Sequence, residues 1–251
     1  MTGLSAVLQA MTQAEAERAL REAALAVLPL GAVEAHGDHL PLGTDNFLAE
    51  RLAQRYAAAL PVPSVLLPLL PFGPMWSTER FPGSLPVGRA TLTHILLDIA
   101  RSLARQGVRV LAVVNGHYGN REAITEAART LHDEGVHLLG FTYPGLDAEA
   151  ARVRETPVAR AGYMHACEIE TSLMLALAPE HVALAAAVAN YPAFPESFDV
   201  LPERWDAFSA SPVLGDPRAA SAAKGEAMLA VVLARMVAAT SGALARSEAL
   251  G

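Results

Sequence analysis

Short apolar runs alternate with helix-spaced apolar patterns along much of this chain, which restricts it to few fold classes. Residues 25–33 and 108–114 are short apolar runs of the kind that form buried strands, and each precedes a helical pattern, at 45–59 and at 121–134. A further apolar run covers 136–143. Strands that alternate with helices predict an α/β fold with a mostly parallel sheet and helices on both faces.

The remaining segments can be placed around this alternation. Further helices are predicted at 12–24, at 90–106, at 168–178 and from Pro217 to about residue 240. Residues 64–70 are apolar but interrupted by prolines, which indicates an edge strand or an irregular segment. Residues 144–164 are interpreted as loop with a short helix, and 190–214 as a loop. Residues 72–88 form another Gly- and Pro-rich loop, and loops of this length are often functional.

The first candidate site lies where the strand at 25–33 ends. Glu34 and His36 alternate there, so in an extended backbone both side chains can face one point beyond the sheet. Thr44 is a suitable N-cap, which places Asp45 in the first turn of the following helix and within reach of the same point. Two carboxylates and an imidazole are ligands that zinc and manganese accept. The alternative is a polar loop with a capping aspartate.

A second polar motif follows the strand at 108–114. It reads Asn-Gly-His-Tyr-Gly-Asn over 115–120 and contains His117. Parallel sheets carry their sites at the carboxyl ends of the strands. His117 is therefore expected on the same rim as Glu34 and His36.

The segment from His165 to Ser172 opens the helix predicted at 168–178. Helical spacing places Glu170 on the face of Leu173, Met174 and Leu177, where a buried carboxylate needs a cation or several donors. Glu170 is therefore a candidate metal ligand. Glu168 is interpreted as an acid that complements the positive end of the helix.

Composition and charge limit the partners. The net charge of −7, without a block of Lys or Arg, argues against nucleic acid or a membrane as a partner. No signal-peptide layout is present, and no apolar run reaches the roughly 18 residues that indicate a membrane span. The single cysteine, Cys167, excludes an internal disulfide and fits a reducing cytoplasm. Residues 1–251 are expected to form one domain.

Four stretches carry motifs in a fixed order. They read LPLGAVEAHGDHLPLGTD, NGHYGN, HACEIETS and VLGDP. Together they resemble the creatininase family of metal-dependent amidohydrolases, and the resemblance extends from about residue 25 to 240. It implies a three-layer α/β/α sandwich around a mainly parallel sheet. It also implies a site for two divalent ions, zinc or manganese, and a homo-oligomer, usually a hexamer built from dimers.

The resemblance also assigns roles to individual residues. The family's metal ligands correspond to Glu34, His36, Asp45 and His117, with Asp45 in the place of the carboxylate that bridges the two ions. His165 corresponds to the catalytic histidine. Glu170 corresponds to the glutamate of the HAGxxETS motif and is expected to serve both the second ion and catalysis. His39 is expected to orient the metal-binding loop.

The chain departs from creatininase itself at several positions. Gly119 stands where creatininase has a ligating glutamate, and Ala161 stands where it has a tryptophan that closes the pocket. Tyr118 is retained, and Tyr118, Trp76 and Arg80 are the candidate substrate contacts. For Arg80 the alternative is an ion pair with Glu79 or another nearby acid.

The resemblance implies a metal-dependent amidohydrolase that attacks a non-peptide C–N bond of a small, cyclic or open-chain amide. The nucleophile is expected to be a metal-bridging hydroxide, and His165 is expected to pass a proton to the leaving nitrogen. One alternative is a formamide hydrolase or a small-peptide amidase in cofactor maturation. Another is a non-catalytic family member that only binds metal.

Overall fold

The structure is a computed structural model that describes residues 6–250 and has a parallel sheet at its centre. Its strands are β1 (Ala6–Val7), β2 (Leu25–Leu30), β3 (Ser64–Leu66), β4 (Val110–Asn115) and β5 (His137–Phe141). They lie in the order β1-β3-β2-β4-β5, and every pairing is parallel. The prediction of a mainly parallel sheet is confirmed.

The α-helices follow the predicted order along the chain. They are α1 (Gln13–Glu22), α2 (Thr44–Ala59), α3 (Arg89–Arg105), α4 (Arg121–Asp133), α5 (Leu146–Val153), α6 (Glu168–Leu177) and α7 (Ala222–Leu250). The α1 helix begins with a capping box, in which the Thr12 hydroxyl accepts from the Glu15 amide and the Glu15 carboxylate accepts from the Thr12 amide.

Two apolar cores lie on opposite faces of the sheet because successive strand residues point in opposite directions. Leu25 and Val27 of β2 pack with α2, α5, α6 and α7. Ala26 and Leu28, the alternate residues, pack with α1, α3 and α4. The resulting arrangement of helices, sheet and helices is the three-layer α/β/α sandwich that the resemblance implied.

Three local predictions need correction. The β3 strand lies inside the sheet between β1 and β2, so it is not an edge strand, although only Ser64–Leu66 of the apolar run is regular. The α2 helix begins at Thr44 itself, whose hydroxyl donates to the Pro41 carbonyl instead of capping the helix. Pro217 starts a separate 3₁₀ turn, Pro217–Ala219, and α7 begins only at Ala222.

The α7 helix is longer and more apolar than expected. Within Ala222–Arg246 it contains a window with a hydropathy of 1.8, which satisfies the length and composition criteria for a membrane span. Core helices satisfy the same criteria. Met228, Val232 and Met236 are fully buried in the core that α7 shares with α6. We therefore interpret α7 as a helix that packs one face into the core, with 28% of the apolar window buried.

Candidate metal centre

The five residues proposed as ligands meet beyond the carboxyl ends of β2 and β4. Glu34 and His36 follow β2, His117 follows β4, and Asp45 and Glu170 lie in the first turns of α2 and α6. All five are buried, and none is more than 8% exposed. The sequence prediction that these side chains converge on one rim therefore agrees with the observed geometry.

Within this cluster the side chains form two groups that share Asp45. In the first group His117 Nδ1 lies 3.0 Å from Glu34 Oε2 and 3.1 Å from Asp45 Oδ2. In the second group His36 Nε2 lies 3.6 Å from both Asp45 Oδ1 and Glu170 Oε2. The ligand atoms of each group lie within 4.8 Å of one another. One oxygen of Asp45 faces each imidazole, which is the arrangement of a carboxylate between two cations.

Backbone carbonyls fix which nitrogen of each imidazole faces the centre. His36 Nδ1 contacts the Glu34 carbonyl at 3.0 Å, and His117 Nε2 contacts the Pro74 carbonyl at 2.9 Å. A carbonyl only accepts, so each of these nitrogens must carry the proton. In the neutral imidazoles, His36 Nε2 and His117 Nδ1 then direct lone pairs toward carboxylate oxygens, and a cation between them satisfies both partners.

Several buried polar atoms in the centre lack partners. Beyond the imidazole–carboxylate contacts given above, Glu34 Oε2, His36 Nε2 and Asp45 Oδ2 make no hydrogen bond to any residue that the structure describes. Unpartnered polar atoms at such depth are costly, and buried carboxylates normally pair or coordinate a metal. The donor set, its burial and its missing partners all fit divalent metal ions.

The pKa values show how strongly this cluster attracts positive charge. Burial alone lowers the pKa of His36, but the carboxylates of Asp45 and Glu170 raise it to about 10. Burial likewise lowers the pKa of His117, and Glu34 and Asp45 raise it well above its usual value. Protons on the imidazoles balance the carboxylates in the absence of metal, and divalent ions provide the same compensation.

Supporting hydrogen bonds hold the loops of the centre in place. The Thr78 hydroxyl donates to Glu34 Oε1, and the Ala166 amide donates to Glu170 Oε2. His39 lies within hydrogen-bonding distance of the Thr171 hydroxyl, with 3.1 Å between Nε2 and Oγ1. This contact ties the β2–α2 loop to α6, which agrees with the orienting role expected for His39.

The lack of space around Gly119 explains why this chain has no carboxylate at position 119. A Cβ atom there would lie 2.2 Å from the Pro74 carbonyl oxygen and 2.4 Å from His117 Nε2. Both distances are far below van der Waals contact, so a glutamate at 119 requires a different path of the 72–88 loop. Glu170 supplies the carboxylate of the second group instead.

His165 lies beside the metal-ligating groups. Its Nε2 contacts the Ala35 carbonyl at 2.9 Å, so this nitrogen carries a proton and Nδ1 carries the lone pair in the neutral ring. The ring packs 4.2 Å from that of His36 and 5.4 Å, edge on, from that of Trp205. His165 also groups with Glu34 and His36 at ligand spacing. The geometry alone therefore permits a ligand role as well as a proton-transfer role.

A cavity of about 840 Å³ opens over the metal-ligating groups. Tyr118, Trp76 and His165 line it, as expected for substrate contacts. Arg80 is not among the lining residues, and its guanidinium lies 3.7 Å from the Asp206 carboxylate. This geometry favours the ion-pair interpretation of Arg80 over the substrate interpretation.

Trp205 is a wall residue that sequence analysis did not identify. It lines the cavity beside His165, and its amide donates to the Ser77 carbonyl at 2.9 Å. Arg204, its neighbour, pairs with Glu79 and stacks 4.7 Å from the Trp76 ring. These contacts join the loops 72–88 and 190–214 into one wall. No local periodicity marks such a contact, because the two loops are far apart in sequence.

Glu168 lies in the first turn of α6, as expected for an acid at the positive end of a helix, but it does more than complement that end. Its side chain is fully buried and accepts hydrogen bonds from the Glu155 amide, from the Thr156 amide and hydroxyl, and from Lys224 Nζ at 2.6 Å. Burial raises the pKa of Glu168, but hydrogen bonds from Lys224 and Thr156 bring it below its ordinary value. The Glu168 carboxylate therefore connects α6 to α7 and to residues 154–156 through hydrogen bonds.

We expect Glu168→Gln to destabilise the metal-free protein by about 2 kcal/mol, since it removes the charge-assisted bond from Lys224, which keeps only its exposed partner Glu155. Urea unfolding at neutral pH measures this loss. A carboxylate with a lowered pKa stabilises the fold above its unfolded-state pKa, and this stabilisation disappears as the pH falls through the folded-state pKa. The difference between variant and wild type should therefore shrink below pH 4.5, the ordinary glutamate value.

The control for this prediction is Glu17→Gln. Glu17 forms an exposed ion pair with Arg21 on α1, so its loss should change stability by less than about 0.5 kcal/mol. Equal unfolding free energies for Glu168→Gln and wild type at neutral pH would contradict the structural role of Glu168.

Comparison with known proteins identifies relatives of this chain. Residues 9–240 match the family described as creatininase, creatinine amidohydrolase. Creatinine amidohydrolase of Pseudomonas putida is 33% identical over 220 residues, which cover 82% of this chain and 84% of that protein. The mycofactocin precursor peptide peptidase of Mycolicibacterium smegmatis is 31% identical over 214 residues, which cover 82% of this chain and 80% of that protein.

The fold of this chain is also similar to that of a solved creatininase structure. A variant creatininase of Zn-Zn type matches this fold with a TM-score of 0.80 at 29% identity, and the match covers 96% of this chain and 99% of that one. The family match spans most of the chain and includes the strand ends and helix starts that carry the candidate ligands. The chain therefore belongs to the creatininase family.

Proposed function

We propose that this protein is a metal-dependent amidohydrolase with two divalent ions. Glu34, Asp45 and His117 would hold one ion, and His36, Asp45 and Glu170 the other. The observation that carries this proposal is the position of Asp45, whose two oxygens face His36 Nε2 and His117 Nδ1, the nitrogens that bear lone pairs in the neutral imidazoles. Mixed imidazole and carboxylate donors suit zinc and manganese alike.

The chemistry follows from the residues around these ions. When bound, the ions polarise an amide carbonyl and lower the pKa of water. His165 lines the cavity with Nδ1 free to accept a proton and to return it to the leaving nitrogen. Its Nε2 contact with the Ala35 carbonyl fixes the ring in this orientation. Trp205 and Trp76 form part of the wall that limits access of water.

The proposed substrate is a small amide, cyclic or open-chain, cleaved at a C–N bond outside ordinary peptide linkage. The size of the cavity favours a second candidate as well. At about 840 Å³ it is in the range that accommodates drug-sized ligands, so a short peptide fits as well as a single small ring. The 31% sequence identity with a mycofactocin precursor peptide peptidase supports the same alternative.

We further propose that the protein acts in the cytoplasm as a homo-oligomer, in keeping with the hexamer that the family resemblance implies. Cys167 is buried and unpaired, which suits a reducing compartment. Several large apolar side chains are exposed, among them Val188, Val200 and Leu201.

A metal-restoration experiment tests the proposed function. The chelated protein is reloaded with zinc or manganese and assayed against creatinine, hydantoin-like rings, formamides and short peptides. We expect two ions per chain and hydrolysis of at least one amide, and chelation should abolish that activity because the nucleophile depends on the ions. Hydrolysis that survives complete chelation, or a reloaded protein without any amidase activity, contradicts the proposal.

A further inference from the structure

Two arginines line the cavity wall, but only one has an acidic partner. Arg89 Nη1 lies 2.6 Å from the Glu122 carboxylate, and Arg89 Nε lies 4.0 Å from that of Glu126. Arg121 also lines the cavity, yet no carboxylate among residues 7–246, whose side chains the structure describes, lies within 4.0 Å of its guanidinium. Of the two arginines in the cavity wall, Arg121 is therefore the one whose charge is not balanced by a contacting acid among the described residues.

The backbone of Arg121 is fixed relative to the metal centre, while its side chain is exposed. It is the first residue of α4 and follows the 3₁₀ turn Tyr118–Asn120, which begins directly after His117. Asn120 is fully buried and donates to the Gly31 carbonyl at 3.0 Å and to Asn115 Oδ1 at 2.9 Å. These bonds anchor the turn to β2 and β4, so the ligand His117 and the cation Arg121 belong to one rigid segment.

Tyr118 adds a second donor at the same place. The Arg121 guanidinium lies 5.9 Å from the centre of the Tyr118 ring, and both residues line the cavity. A tyrosine hydroxyl carries its proton at neutral pH and can donate it to a carboxylate oxygen. That hydroxyl donates to no other residue in the part of the chain that the structure describes.

We propose that Arg121, with the Tyr118 hydroxyl, binds a carboxylate of the substrate, so that the preferred substrates are amides that carry a negative charge. This inference rests on the proposed function, because it names the substrate class of the same site. A guanidinium presents paired donors that match the geometry of a carboxylate. The outer groove on α4 adjoins this subsite but carries charges of both signs, from Glu122 and Glu126 as well as Arg89 and Arg129, so the subsite is assigned to Arg121 and Tyr118 alone.

A binding experiment tests the subsite independently of catalysis. Calorimetry on the zinc-loaded protein at about 0.15 M salt compares N-benzoylglycine, N-benzoyl-β-alanine and N-benzoyl-4-aminobutyrate with their three uncharged carboxamides. We expect at least one acid to bind about tenfold more tightly than its carboxamide, as is typical of one charge-assisted hydrogen-bonded pair. Arg121→Gln should reduce this preference to less than about twofold, and Arg121→Lys should restore part of it.

The matched control is Arg129→Gln. Arg129 lies on the same helix but lines only the outer groove, about 12 Å further along at the helical rise of about 1.5 Å per residue. That separation exceeds the screening length of about 8 Å at this salt concentration, so the preference should be retained. The three acids place the carboxylate at different distances from the amide and thereby cover different depths in the cavity.

Each outcome either supports or overturns the subsite. A preference that persists in Arg121→Gln overturns it, because the carboxylate then binds elsewhere, for example at the ions. Absence of any preference in the wild type, or absence of detectable binding of all three acids, also overturns it. A preference that depends on Arg121 supports the subsite even if no probe is hydrolysed. The lack of hydrolysis would then count only against the proposed reaction. If acids and carboxamides are hydrolysed equally and bind equally, the proposed amidase activity is supported and the proposed carboxylate subsite is refuted.

Discussion

Asp45→Ala is expected to remove both metal ions and to abolish turnover. Asp45 is the shared residue of the two groups, with Oδ1 near His36 and Oδ2 near His117. Each ion therefore loses a ligand from a single substitution. Loss of a residue that merely orients a ligand already weakens metal binding by about 10- to 100-fold, so loss of a shared ligand should exceed that range. Metal content after dialysis, measured by mass spectrometry, checks this expectation.

Two further variants make the Asp45 result specific. Asp38→Ala removes an exposed carboxylate from the same loop that belongs to neither group, and it should retain both ions. His165→Ala should also retain both ions while kcat falls by about 10²- to 10⁴-fold, the usual contribution of a general acid or base. Full metal occupancy in Asp45→Ala would refute the bridging role. Loss of metal in His165→Ala would instead make His165 a ligand, which its spacing from Glu34 and His36 permits.

The second large effect concerns Glu170. Glu170→Gln keeps the shape of the side chain but removes the charge that His36 Nε2 faces at 3.6 Å. The ion held by His36, Asp45 and Glu170 should be weakened by at least about tenfold. The other ion should remain, because Glu34, Asp45 and His117 are unchanged. Titration of the metal-free variant with zinc should therefore show one tight and one weak site. Activity should appear only as the weak site is filled.

The control for Glu170 has to come from outside α6. Glu168, its neighbour on the helix, is buried against Lys224, so its substitution would disturb the fold itself. Glu122→Gln is suitable, since Glu122 lines the cavity but belongs to no metal-ligating group. It should retain two tight sites. Two tightly held ions and normal activity in Glu170→Gln would assign the second site to a different ligand.

Local sequence patterns were sufficient for the order and type of the elements. The apolar runs at β2, β4 and β5 and the helical spacing of α2, α3 and α4 depend on which side chains must face the core, and that periodicity is written in neighbouring residues. The same reasoning placed Glu34, His36 and His117 on one rim, because parallel strands end at the same edge. It placed Glu170 on a buried face through helical spacing alone.

Other features depended on residues that are distant in sequence. The burial of Glu168 depends on Lys224 from α7, and the position of β3 inside the sheet depends on β1 at the start of the described chain. Arg80 faces Asp206 instead of the cavity, and no spacing rule relates these two loops. The start of α7 was misplaced because Pro217, a residue common in first helical turns, here opens a separate 3₁₀ turn.

The α/β class, the rim and the metal-ligating residue types could thus be predicted from the sequence, since each follows from short-range periodicity and from the shared direction of parallel strands. How these residues are paired depends on the three-dimensional packing. It gave Asp45 one oxygen for each imidazole, excluded a side chain at Gly119 through the Pro74 carbonyl, and left Arg121 without an acid within 4.0 Å among the described residues. Such pairings are set by the packing of loops against one another, which no local pattern encodes.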